Sequence, residues 1–161
     1  MGFLFFIAFA LQFGCASKDQ ADSSSTTEAE AETHVGDCEI AAAPFGAGKG
    51  TSGSPYQVCS VAHFEQVRNY SDVYFLQVAN LDFSSIEKFE PIGSFSGEYD
   101  GNEKSISNLT VVSPSLGAIV THNSGTIKDL DLENVDISGG AVGVAGVVGY
   151  NNGTISGVRI T

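Results

Sequence analysis

The sequence predicts an all-β chain wound into a right-handed parallel β-helix, a solenoid with a short N-terminal capping helix. Three observations predict it. The phrase Val-x-x-Asn-x-Gly-Thr-Ile occurs twice, at 120–127 and at 148–155, each time followed by a short alternating apolar run. Four segments, VANLDF (78–83), ISNLTV (106–111), IKDLDL (127–132) and ISGVRI (155–160), superimpose as apolar, polar, x, apolar, polar, apolar. Their third positions, Asn80, Asn108, Asp129 and Gly157, are the residue types that best tolerate the left-handed backbone region. These positions are 28, 21 and 28 residues apart, which are coil lengths rather than heptads.

The first element is MGFLFFIAFALQFGC, an apolar run of signal-peptide length and too short to span a bilayer comfortably. Residues 1–14 are therefore expected to be a signal peptide. Gly14-Cys15, with Leu11 upstream, resembles a bacterial lipobox, and the resemblance implies lipidation of Cys15 as the first mature residue. Ala16 after that Cys points, by the family's sorting rule, to the outer membrane. An ordinary signal peptide cut after Ala8-Phe9-Ala10 is the alternative. Several acyl chains on one Cys would hold the protein on a membrane, where a single chain binds only marginally.

Residues 15–37 read as an acidic, disordered tether. Between 16 and 37 stand six carboxylates against one Lys and almost no large apolar side chain, so chain entropy outweighs anything the segment could bury. With Cys15 assigned to lipid, Cys38 and Cys59 remain as a candidate disulfide; two free thiols are the alternative. The loop it would close could contribute about 3 kcal/mol in an oxidising compartment.

Residues 38–161 form the β-helix domain. A strand near Pro55–Cys59 opens it, and SVAHFEQVRNY follows, with Ser60 as N-cap and Val61, Phe64 and Val67 at helical spacing. This helix is expected to cover the open end of the first coil. Parallel strands need long connections, which a solenoid supplies by winding once per rung, right-handedly. Val78/Leu81/Phe83, Ile106/Leu109/Val111, Ile127/Leu130/Leu132 and Ile155/Val158/Ile160 are then the inward rows. The domain is expected to be truncated at its C-terminal end, where GVRIT shows no closing helix, charge or proline, and so to be capable of self-association through an open edge.

GVVGYNNGTISG and GAIVTHNSGTIKD resemble GLUG-type repeats of bacterial surface proteins, GTSGSPYQVCSVAHFEQV resembles the N-terminal opening of β-helical lipoproteins carrying them, and the likeness covers most of residues 45–161. The resemblance implies the architecture and a bacterial cell-envelope setting, at the outer membrane or cell surface. It implies no chemistry.

Composition narrows function further. The 161 residues carry a formal charge of −12 with only seven Lys and Arg, which is unsuited to a phosphate backbone, so no nucleic-acid partner is expected. His34, His63 and His122 show no metal-ligand spacing, and His63 reads as a half-exposed helix residue. GAGKGTSG lacks the order of a phosphate loop, and Asp100-Gly101-Asn102 reads as a turn rather than a calcium loop. No cofactor and no metal site is expected. The outward column Asp82, Thr110, Asp131, Arg159 could pair carboxylates for glycan cleavage. Its plainer reading is the polar middle of each strand, with Asp131 and Arg159 forming a surface ion pair of small worth. The expected function is a non-enzymatic, lipid-anchored adhesin-like or scaffold module that binds carbohydrate or protein. The alternative is the N-terminal accessory part of a surface hydrolase, either polysaccharide-degrading or a peptidase.

Overall fold

The computed structural model describes residues 44–161. Cys15, Cys38, His34, the signal peptide and the tether lie outside the described residues. Within them the chain is a parallel β-helix, with one short helix near its start.

β1 (Tyr56–Val58) and α1 (Val61–Gln66) lead into the first coil, which carries β2 (Tyr74–Gln77), stacked on β1, and β3 (Leu81–Asp82). The second contains β4 (Ile92–Phe95), β5 (Glu98–Ser107), β6 (Thr110–Ser113) and β7 (Leu116–Gly117). Next come β8 (Val120–Asn123), β9 (Thr126–Glu133), β10 (Asp136–Gly139) and β11 (Gly143–Val144), and then β12 (Val148–Asn151), β13 (Thr154–Ser156) and β14 (Arg159–Ile160). One sheet has the order β1-β2-β5-β9-β13, with β3 on β5 and β14 on β9. The others are β4-β8-β12, β6-β10 and β7-β11. These strand pairs are parallel, because each strand lies on the one a full winding earlier.

Burial follows the winding. Phe75, Tyr99 and Ile127 stand in register and are buried, as are Leu81, Ile106 and Leu132. Both columns continue into the last coil with Ile155 and Ile160, which are exposed. Of the seven exposed large apolar residues among those described, Tyr150, Ile155 and Ile160 belong to this coil, and Val142 and Val144 lie just before it.

α1 forms where Ser60, in an extended conformation, turns its Oγ to accept a hydrogen bond from the His63 N–H. Phe64 packs edge-on against Phe83 and Tyr99, and Val67 is buried with it. His63 departs from its half-exposed expectation. It is 7% exposed, lies beside the Phe45 ring, and its Nδ1 accepts from the Cys59 N–H at 3.2 Å. The helix turns Ala62 to solvent and its His63 and Phe64 side toward the coil and Phe45, so His63 is covered. Cys59 is buried and disulfide-bonded.

The bends require a correction. Asn108, Asp129 and Gly157 have positive φ, at 57°, 51° and 61°, but Asn80 does not. Its Oδ1 instead accepts from the Ser105 N–H across the coils. Nor do the other three share one corner. Asp129 lies under Gly157, whereas Asn108 lies under Asn134, which also has positive φ. The expected inward rows shift accordingly: Ile106 stacks between Leu81 and Leu132, not on Ile127. At the level of Asp129 the second coil carries a bulge, Gly101 to Glu103, where the register steps from Asp100↔Lys128 to Lys104↔Leu130. Asp100-Gly101-Asn102 is thus a bulge inside β5, closed by the Asp100 carboxylate accepting from the Asn102 N–H.

Candidate functional site

Outward side chains fall into columns that the winding assembles from distant sequence. The expected column Asp82, Thr110, Asp131, Arg159 does not form. Asp82 stands opposite Ser107, Thr110 opposite Asp136, and Asp131 between Ser105 and Arg159. Asp131 and Arg159 do pair, with both contacts at 2.8 Å in a bidentate arrangement. Donation from Arg159 holds the Asp131 carboxyl below its ordinary pKa. Asp82 is lowered by donation from the Asn108 amide and then from the Ser84 N–H. Each acid is engaged by a donor, and the column that would have paired them for acid and base catalysis is absent.

A second cluster was not foreseen. Lys128 reaches Glu98 at 2.8 Å and Asp100 at 3.2 Å, one coil below. Donation first to Glu98 and then to Asp100 raises the lysine pKa. Lys128 is 30 residues from Glu98 and 28 from Asp100, and only the register Asp100↔Lys128 reveals it as their neighbour.

The repeated phrase builds the corner between the β4-β8-β12 sheet and the long sheet. Asn123 turns inward and is 1% exposed. Its Oδ1 accepts from the Gly125 N–H and its Nδ2 donates to Gly125 O and to Asn151 Oδ1. Asn151 repeats the same turn around Gly153. The glycine is demanded by close approach: a Cβ on Gly125 would run into the Gly97 carbonyl, and one on Gly153 into that of Gly125. On the neighbouring face His122 lies under Tyr150, as the repeat alignment implies, with rings stacked at 5.0 Å and 20°.

Outside this corner runs a polar groove of about 460 Å³. Tyr74, Glu98, Thr126 and Thr154 form one in-register column along it, and Asn152 flanks the last coil. Among the described residues no three His, Cys, Asp or Glu side chains gather as a metal site, and no helix is long and apolar enough to cross a membrane.

No family model matches the chain, and no solved structure matches it. It is similar to halomucin of Haloquadratum walsbyi, at 38% identity over 133 residues that cover 69% of this chain and 1% of halomucin. It is also similar to a protein of Evansella cellulosilytica named as a Gly-rich membrane protein, at 27% identity over 133 residues covering 72% of this chain and 15% of that one. The chain therefore spans a small fraction of the length of either relative.

Proposed function

We propose that this protein is a non-enzymatic display module, an adhesin-like β-helix held at the bacterial cell envelope by lipid on Cys15, whose outer face binds carbohydrate or protein. One observation carries the reading. The solenoid repeats its outward polar and aromatic groups coil after coil on a backbone packed against a continuous core, so a partner with a matching repeat meets a rigid, preorganised array. The names of the two relatives, a mucin-like word and a membrane protein, agree with a surface or membrane-associated setting. The GLUG-type reading of the repeats belongs to the same proposal.

The test is an array of immobilised glycans and purified surface proteins probed with the full chain, with product release followed in parallel. Retention without turnover is expected. Turnover of a retained glycan, or no retention at all, would remove the reading. For the anchor, an alkyne fatty acid fed to cells should label the wild-type chain and not Cys15→Ser.

A further inference from the structure

The groove beside the Asn123 and Asn151 turns is concave and polar, and its chemistry selects among partners. Its floor is backbone, and that backbone is already satisfied. The Gly97 N–H donates to Ser71 O, and the Gly125 and Gly153 N–H groups donate to the asparagine side chains. The carbonyls of Gly97 and Gly125 accept from the N–H groups of Thr126 and Thr154 one coil on. Between the second and third coils a peptide therefore finds no free strand edge to pair with. What stays available is side-chain chemistry: the Thr126 and Thr154 hydroxyls and the Asn152 amide make no hydrogen bond among the described residues.

Charge narrows the class further. The lining holds Asp72 and Glu98 and no Lys or Arg, and the nearest ammonium, that of Lys128, is held by Glu98 and Asp100. The chain as a whole is at −12. Polyanions, including uronate and sulfated glycans, are repelled. At one end stands Tyr74, 38% exposed, offering a flat apolar ring for the face of a sugar. Hydroxyl and carboxylate groups then recur at the coil spacing of about 4.8 Å, a pitch comparable to that at which a glycan chain presents its own hydroxyls.

We infer that this groove is the binding site for a neutral oligosaccharide, with Tyr74 stacking on one sugar ring and Glu98, Thr126, Thr154 and Asn152 hydrogen-bonding the hydroxyls of those that follow. The inference rests on the reading of the protein as a carbohydrate- or protein-binding module and gives it a site and a ligand class. Its volume falls within the range of about 300–1,000 Å³ usual for small-molecule sites.

Isothermal titration of the full chain with cellohexaose, maltohexaose, xylohexaose and hexagalacturonate tests it. At least one neutral hexasaccharide should bind, and hexagalacturonate should not. Tyr74→Ala and Thr126→Val should each weaken that binding about tenfold, equivalent to about 1.4 kcal/mol. Both side chains are on the outer surface, and Thr154→Val serves in place of either variant whose far-UV circular dichroism shows that it has not folded. Neutral binding unchanged in the variants would overturn the groove as the site while leaving the module reading intact. Equal binding of hexagalacturonate would overturn the neutral class. Silence of all three neutral probes would overturn the inference, and the protein arm of the array would then decide the module reading separately.

Discussion

Asn123 donates its side-chain amide to the Oδ1 of Asn151 one coil above, at 2.8 Å, while each asparagine closes its own turn onto the glycine two residues on. The two are 28 residues apart and occupy the same place in the repeated phrase. A short sequence phrase thus recurs because each copy supplies the hydrogen-bond partner of the next.

Replacing Asn123 by Ala should cost about 1–3 kcal/mol, since the Gly125 N–H loses its side-chain partner at a buried corner and Asn151 Oδ1 keeps only the Gly153 N–H. Asn151→Ala should cost less, because its side chain is exposed and water replaces it. Urea unfolding of the two variants beside wild type checks the order, and equal losses would contradict it.

Gly125→Ala forces a methyl group into the Gly97 carbonyl and should destabilise by about 1–3 kcal/mol, as overpacking does. Gly53→Ala meets open space and should be nearly neutral. Thermal melts of the pair separate close approach from a general intolerance of added bulk.

Asn108 and Asn80 should behave differently despite their similar sequence surroundings. Asn108→Val places a β-branched residue at φ 57° and should lose about 1–2 kcal/mol from backbone strain, in addition to the bonds to Asp82 and Asn134. Asn80→Val sacrifices one exposed hydrogen bond from the Ser105 N–H and no left-handed backbone, so about 0.5 kcal/mol is expected. Denaturant midpoints decide it: a larger loss at Asn80 would restore the single-corner alignment.

Acidification should loosen the N-terminal helix through His63. Burial lowers its folded pKa below the ordinary value of about 6.5, so between the two values the unfolded chain binds more protons than the folded one. The stability tied to neutral His63 is therefore complete above pH of about 6.5 and is lost as pH falls through the folded value. A protonated Nδ1 also can no longer accept from the Cys59 N–H. Urea midpoints at pH 7.5 and 5.0 should fall further for wild type than for His63→Gln, and parallel slopes would exclude His63 as the cause.

Sequence by itself determined the solenoid, the helix start at Ser60, and the equivalence of His122 and Tyr150 in the repeated phrase. These are legible because they depend on period and on local chemistry: an N-cap, an alternating run, and one phrase repeated without insertion. It also marked Asn108, Asp129 and Gly157 as left-handed positions. Only the tertiary structure decided which bend lies on which. Two corners of each coil accept the same small set of residues, so a pattern match cannot tell Asn134 from Asp129 as the mate of Asn108, and the bulge at 101–103 shifts the register unseen. Every outward neighbour depends on that register. The Asp82 column therefore dissolved, while Glu98, Asp100 and Lys128 came together, as did the column of Tyr74, Glu98, Thr126 and Thr154 along the groove. His63 was decided the same way, since its burial comes from Phe45, a residue no helical spacing connects to it.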